Sequence, residues 1–177
     1  MKIEKLEIRN FGKMQNRILE FSDGIQLISG ENESGKSTVH TFIRSMLFGM
    51  TRGRGRAAKN DVYSRYEPWE NPAYYAGEMV FESGGKRFRL TRNFGRQNAD
   101  AKLVCLTDGE ALSVEDGDLS MLLGGVSEIV YDNTASIGQL KGRTEEGLAD
   151  ELRNYMANYQ GSSDGELDVA AALDLLT

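Results

Sequence analysis

Residues 30–38 have the types and spacing of a loop that binds phosphate. They read Gly-Glu-Asn-Glu-Ser-Gly-Lys-Ser-Thr and match G-x-x-x-x-G-K-[ST] at every required position. Two glycines let successive N–H groups converge on an anion, a lysine supplies charge for the β- and γ-phosphates, and a serine hydroxyl is the expected Mg²⁺ ligand. The candidate nucleotide-binding residues are Gly30, Glu31, Asn32, Glu33, Ser34, Gly35, Lys36, Ser37 and Thr38.

Two elements must flank this loop if it binds phosphate. Apolar residues at 25–28 predict a buried strand that leads into it. A helix is predicted to begin near Lys36 and to end at Gly49, with the apolar face Val39, Phe42, Ile43, Met46 and Leu47. The alternative is a glycine-rich turn before an ordinary amphipathic helix, and the order strand, loop, helix favours the phosphate loop.

The composition is that of a globular protein with a local basic segment. The chain has 177 residues and a net charge of −6, which argues against a surface that is basic throughout. Its single cysteine, Cys105, lies in an apolar run and is predicted to be a buried strand residue. No signal peptide is visible and no apolar run approaches the roughly 20 residues that span a bilayer, so we expect a cytoplasmic protein without a membrane partner.

The remaining pattern is mainly antiparallel β. Strands are predicted around residues 3–8 and 18–21, and two hairpins follow, at 78–92 and at 103–114. Short helices are predicted at 116–123 and 126–135, and residues 136–140 look extended. Two further helical patterns lie after residue 143, and the apolar pattern of the second still runs at Leu175 and Leu176, which suggests a fragment.

A long loop is predicted between residues 51 and 72. It carries Arg52, Arg54 and Arg56, which could contact a γ-phosphate or DNA or could lie in a solvated Gly/Arg loop. The tyrosines at 63 and 66 could touch a nucleotide base or could simply pack beneath the loop. Trp69, beside two prolines, could be a core residue or an exposed contact.

The phosphate loop and its surroundings resemble a known family. A loop at residue 30 preceded by two strands and an Asn10-Phe11 pair closely resembles the N-terminal half of the ATPase head in SMC, RecF and SbcC-like proteins. The loop of those proteins has the form G-x-N-x-x-G-K-[ST], and Asn32 of this chain matches its asparagine. Residues 11–13 and the Tyr-Glu-Pro-Trp string at 66–69 resemble the bacterial YhaN-like branch. The resemblance covers essentially the whole chain.

The resemblance implies roles for two residues outside the loop. Gln139, which lies 103 residues after Lys36, matches the glutamine that reaches Mg²⁺ and the attacking water, so Lys36 and Gln139 are the expected catalytic residues and Ser37 and Gln139 the expected metal ligands. The alternative for Gln139 is a polar residue at a strand edge. Lys13 would lie over the nucleotide, in the place of an arginine that many relatives carry one position earlier.

The implied fold is α/β: a P-loop NTPase of the ABC-ATPase head type, with a mixed sheet, an added antiparallel β subdomain and C-terminal helices. Residues 1–142 would form the N-terminal lobe, with the antiparallel part at about 73–115, and residues 143–177 would begin a coiled coil.

The implied function is ATP binding with Mg²⁺ in a coiled-coil protein of DNA repair or maintenance. No run of four apolar residues ends in Asp-Glu or Asp-Asp, so hydrolysis would require the C-terminal half of the same head. A head-to-head homodimer and DNA are the other expected partners. Two alternatives remain open: a non-catalytic nucleic-acid-binding or dimerisation module, and a small stand-alone P-loop kinase or GTPase.

Overall fold

The chain forms one antiparallel sheet with a helix, α1, packed against it. The computed structural model describes residues 1–53, 61–96, 99–138, 148–149 and 152–153. The chain divides into two compact units, Met1–Gly125 and Val126–Thr177. The first unit contains the whole sheet, and its strands are β1 (Lys2–Phe11), β2 (Met14–Glu20), β3 (Ala76–Ser83), β4 (Lys86–Asn93), β5 (Asp100–Cys105) and β6 (Ala111–Leu112).

The six strands lie in the order β2-β1-β3-β4-β5-β6, with every neighbouring pair antiparallel. Strand β1 is an interior strand next to the edge strand β2, since Leu6 pairs with Leu19 of β2 on one side and with Met79 of β3 on the other. Alternate residues of β1 are buried, as expected for a sheet with one covered face. The antiparallel region predicted at 73–115 is therefore continuous with the first two strands.

Helix α1 (Lys36–Phe48) covers one face of the sheet at close range. The buried residues of α1 are Thr38, Val39, Phe42, Ser45, Met46 and Leu47, which confirms most of the predicted apolar face. Gly77 of β3 permits the contact, because a Cβ there would clash with the Phe42 ring and come within 3.0 Å of the Glu7 carbonyl oxygen. This glycine therefore sets how closely α1 approaches the sheet.

The C-terminal end of α1 is fixed from the sheet. Gly49 ends the helix as predicted, with φ 80° and its N–H donating to the Ser45 carbonyl. Arg92 of β4 donates from Nε to the Met46 carbonyl at 2.7 Å and from Nη2 to the Leu47 carbonyl at 3.3 Å. A cation at the negative end of a helix is stabilising, and burial here lowers the pKa of the Arg92 guanidinium.

An aromatic cluster joins the elements around the end of β1. The Phe11 ring lies 5.2 Å from Phe42, 5.3 Å from both Tyr66 and Tyr75, and 5.7 Å from Phe94, measured between ring centroids. Tyr66 belongs to the short helix α2 (Val62–Tyr66). Tilted and edge-on rings at these distances add attraction beyond the apolar area that they bury.

Most of the predicted elements are present. The two hairpins are confirmed as β3–β4 and β5–β6, and Cys105 is a buried strand residue. Short helices occur near both predicted positions, as α3 (Asp118–Leu122) and α4 (Glu128–Thr134).

The buried strand predicted at 25–28 is wrong for the described residues. This segment has no regular secondary structure, and Ile25 and Leu27 are 100% and 89% exposed. An apolar run becomes a buried strand only where another strand pairs with it and another layer covers it. No such partner occurs among the residues that the structure describes.

The second unit is described mainly through α4. Ser127 caps this helix by accepting from the Val130 N–H at 3.3 Å. Ser136 to Gly138 have no regular secondary structure, and most of the helical segment predicted after residue 143 lies outside the described residues. Within the described part of the chain, no helix is long and apolar enough to cross a membrane.

The contact between Gly77 and Phe42 predicts a specific steric effect. Gly77→Ala should destabilise the protein by about 1–3 kcal/mol, because the added methyl group overpacks a filled site. Urea denaturation of Gly77→Ala, Phe42→Leu and the double variant measures this cost. We expect Gly77→Ala to cost less when residue 42 is leucine, and an equal cost in both backgrounds would contradict the contact.

Candidate functional site

The glycine loop opens directly into α1. Glu33 and Gly35 both have left-handed backbone, with φ 63° and 100°. Such a conformation strains a residue with a side chain, and strain of this kind is concentrated at functional sites. A Cβ at Gly30 would lie 2.7 Å from the Ser34 hydroxyl oxygen. The loop is thus too tight for side chains at its glycines, and its residues 30–34 are exposed to solvent.

The first turn of α1 presents backbone N–H groups without a capping side chain. Gly35 occupies the N-cap position, and the first intrahelical bond runs from the Val39 N–H to the Gly35 carbonyl at 3.0 Å. The preceding N–H groups therefore have no partner within the helix. Together with the positive end of the helix dipole, they form an arrangement that attracts an anion.

Lys36 lies across the mouth of this loop. Its ammonium donates to the carbonyl oxygens of Gly30 and Glu31, both at 2.7 Å, and to the Ser34 hydroxyl at 3.5 Å. These are bonds to neutral acceptors, and charged phosphate oxygens form stronger ones. The lysine is thus held beside the loop by contacts that a phosphate can replace. The structure brings residues 30–38 together as the sequence predicts.

The turn between β1 and β2 lies against the same end of α1. A Cβ at Gly35 would clash with the Met14 methyl group, and a Cβ at Gly12 would lie 3.6 Å from the Thr38 side chain. Lys13, which is exposed, lies between these two contact residues. Its position beside the loop is thus fixed on both sides. The role of Met14 was not predictable, since a lone methionine after a turn is not a motif.

Helix α2 holds the β1–β2 turn from outside. The Gly12 N–H donates to the Tyr66 carbonyl at 2.7 Å, and a Cβ at Gly12 would lie 3.1 Å from the Tyr66 ring. The Thr41 hydroxyl of α1 donates to the Tyr66 hydroxyl at 3.2 Å. Tyr63 is buried and packs on Tyr75. Both tyrosines therefore have the packing role that was one of the two alternatives.

Asp61 is the N-cap of α2 and ties this helix to residue 53. Its carboxylate accepts from the Ser64 N–H at 2.7 Å and from the Gly53 N–H at 2.6 Å. These bonds to the charged form, led by that from Ser64, lower the pKa of Asp61. The Arg52 guanidinium lies 5.8 Å from the centre of the Tyr63 ring, a cation–π contact.

Three of the sequence-derived candidates cannot be placed. Gln139, Arg54 and Arg56 lie outside the described residues. Arg92, which fixes the far end of α1, was missed because nothing in the local sequence indicates which helix a strand residue will reach.

A glycine loop that leads into a sheet-packed helix, with a lysine at the first helical position, defines a P-loop nucleotide-binding fold. The chain belongs to the AAA_23 family, described as "AAA domain", which matches residues 5–174. This membership and the relatives below confirm the resemblance to SMC/Rad50-like ABC-type ATPase heads.

Two relatives illustrate the similarity. "Uncharacterized protein YhaN" of Bacillus subtilis is 40% identical over 142 residues, which are 78% of this chain and 15% of the relative. A "DNA double-strand break repair Rad50 ATPase" of Pyrococcus abyssi is 32% identical over 103 residues, which are 58% of this chain and 11% of the relative. The chain thus spans a small part of the length of these relatives.

A solved structure has the same fold. It is described as "Structural biochemistry of ATP-driven dimerization and DNA stimulated activation of SMC ATPases" and matches with a TM-score of 0.54 at 19% sequence identity. The match covers 86% of this chain and 96% of the other. The predicted P-loop α/β fold class is therefore confirmed. The sheet of the described residues, however, is antiparallel throughout and not mixed as predicted.

The capping bonds of Asp61 predict a pH dependence of stability. A carboxyl group whose pKa is lowered in the folded state stabilises it above the ordinary pKa of about 3.9, and this contribution is lost as the pH falls through the lowered value. Asp61→Asn should therefore lower the thermal midpoint near pH 7, and its difference from the wild type should shrink below about pH 4.

The comparison needs a control for the loss of one negative charge. Glu115→Gln, at an exposed position, provides that control. The thermal midpoints of the wild type and both variants are measured between pH 3 and 7. A difference between Asp61→Asn and the wild type that stays constant down to pH 3 would contradict the capping role.

Proposed function

We propose that this chain is the Mg·ATP-binding N-terminal half of an ABC-type ATPase head. The observation that carries the proposal is the phosphate loop of residues 30–37. Its backbone N–H groups, its strained turn and its lysine converge at the start of one helix. The family match favours this function over a stand-alone kinase or GTPase.

The residues of the loop fit a nucleotide triphosphate. The tight glycines leave room only for backbone beside the phosphates, and Lys36 already lies where its bonds to carbonyl oxygens can be exchanged for bonds to the β- and γ-phosphates. Lys13, in the turn that contacts Gly35 and Thr38 through its neighbours, would add a second positive charge.

Magnesium also fits the side chains that are present. Ser37 follows the lysine at the start of α1 and offers the hard oxygen that Mg²⁺ prefers, and Gln139 is the proposed second protein ligand. When bound, the ion would neutralise charge on the phosphates. Lys36 and Gln139 are the proposed catalytic residues of this half, one as a charge and one as the residue that orients water.

Hydrolysis would need the C-terminal half of the head, and then a second head. The apolar side chains of Ile25 and Leu27, immediately before the loop, are almost fully exposed. Exposed apolar residues beside a functional loop favour a partner that covers them. A strand from the C-terminal half that pairs here would bury these residues and bring the remaining catalytic groups to the phosphates.

A role in DNA maintenance is the proposed biological use. Its support is the similarity to proteins named as Rad50 ATPases of DNA double-strand break repair. Within such an assembly, ATP held between two heads would join them as a homodimer, and DNA would be a further partner. Fold similarity alone does not determine substrate, so this step rests on the relatives' names.

The proposal predicts that Mg·ATP stabilises the chain through Lys36. At about 100 times its dissociation constant, a ligand that binds only the folded state stabilises it by about 2.7 kcal/mol. We expect a clear rise in the wild-type thermal midpoint with Mg·ATP and its loss in Lys36→Ala, since the variant lacks the charge that meets the phosphates.

A second lysine serves as the control. Lys102 is exposed on β5 and pairs only with Asp100 at 3.5 Å among the contacts described, so Lys102→Ala should keep the full rise in midpoint. A rise of equal size in Lys36→Ala would show that nucleotide binds elsewhere, and the proposed site would be rejected.

A further inference from the structure

A groove of about 330 Å³ lies beside the β1–β2 turn, and its lining residues other than Lys13 have no part in the assignments made so far. It is lined by Gly12, Lys13, Gln15, Trp69 and Glu70. A cavity of this size falls within the range of small-molecule sites, which usually combine apolar surface with a few polar groups. This groove has one large aromatic ring, one ammonium group, one amide and one carboxylate.

The aromatic ring is exposed although its neighbours are fixed. Trp69 is 94% exposed, whereas Pro68 before it is fully buried. Glu67, one residue earlier, accepts two hydrogen bonds from the Arg96 guanidinium, each of 3.1 Å. A large indole held open on an anchored segment is a surface suited to stacking.

The groove is connected to the phosphate loop through the β1–β2 turn. Gly12 and Lys13 line the groove, and the same turn contacts the start of α1 through Gly12 and Met14. The segment that carries Trp69 is bound to the same β1–β2 turn, because the Gly12 N–H donates to the carbonyl of Tyr66, three residues before Trp69. A ligand with phosphates in the loop and an aromatic ring in the groove would therefore cross one short turn.

Two acceptor oxygens lie at the polar edge of the groove. The Gln15 amide donates from Nε2 to a Glu70 carboxylate oxygen at 3.1 Å. This bond leaves the Gln15 carbonyl oxygen and the second Glu70 oxygen as acceptors. The exocyclic amino group of a purine is a donor, so these oxygens complement its edge while its face meets the indole.

We propose that the groove is a purine-binding subsite in which Trp69 stacks on the base of the nucleotide whose phosphates occupy the loop of residues 30–37. The proposal rests on the nucleotide-binding function proposed above and adds to it the residue that binds the base. Aromatic stacking tolerates any purine, so the platform serves ATP and GTP alike.

The chain offers a direct probe, because Trp69 is its single tryptophan. Mg·ATP, Mg·GTP and magnesium tripolyphosphate, which has phosphates but no base, are titrated separately while tryptophan emission and the thermal midpoint are recorded. We expect both nucleotides to change the emission and to raise the midpoint. Tripolyphosphate should raise the midpoint and leave the emission unchanged.

Variants at the same position measure the contribution of the ring. Trp69→Ala should weaken ATP binding about tenfold, the size of one base–aromatic stack, and should leave tripolyphosphate binding unchanged. Trp69→Phe retains a ring and should lose much less. Tyr74→Ala removes a half-exposed aromatic ring that does not line the groove and should bind ATP as the wild type does.

The outcomes separate the two proposals. If Mg·ATP raises the midpoint but neither changes the emission nor binds more weakly to Trp69→Ala, the base lies elsewhere, and the subsite is rejected while the phosphate loop stands. If none of the three ligands raises the midpoint, the proposed function fails and the subsite fails with it. If tripolyphosphate binding falls as much as ATP binding in Trp69→Ala, the ring supports the fold of the loop and does not stack on the base.

Discussion

The packing of the Phe11 ring is the interaction on which the candidate site depends. Its four aromatic neighbours come from different parts of the chain. They are Phe42 on α1, Tyr66 on α2, Tyr75 directly before β3 and Phe94 directly after β4. Each such pair contributes about 0.5–1.5 kcal/mol beyond buried area, so the four pairs offset a large part of the cost of ordering a short turn. Beside Phe11, the buried Asn10 amide donates to the Tyr74 carbonyl at 2.6 Å. Together these two residues hold the β1–β2 turn against the start of α1.

The rest of the site follows from this constraint and from two glycines. Gly77 lets α1 lie directly on the sheet, and Arg92 fixes its far end, so the first turn of the helix has a defined position. Gly35 lets the phosphate loop enter that turn beneath Met14. The loop can therefore be strained and exposed while the elements around it stay buried. An exposed loop on a rigid, buried support suits a site in which backbone N–H groups bind a negative charge without rearranging.

The sequence predicts the local features of this structure well. These features are the tight glycine loop, the extent of α1 and its Gly49 end, and the Gly-Gly and Asp-Gly hairpins. Each depends on residues that are close in the chain. Contacts between distant segments were not predictable, including Arg92 with α1 and Met14 with Gly35. The strand predicted at 25–28 failed for the same reason, since apolar residues specify burial but not the partner that provides it. The open indole of Trp69 also depends on how Pro68 and Glu67 are anchored elsewhere.

The central claim is that phosphate replaces backbone carbonyls as the partner of Lys36. A crystal structure of the chain with Mg²⁺ and a non-hydrolysable ATP analogue tests it most directly. The account predicts the β- and γ-phosphates inside the loop of residues 30–37, with the Lys36 ammonium moved from the Gly30 and Glu31 carbonyls, where it now lies at 2.7 Å, onto phosphate oxygens. An analogue bound at another surface, with Lys36 still on those carbonyls, would contradict it.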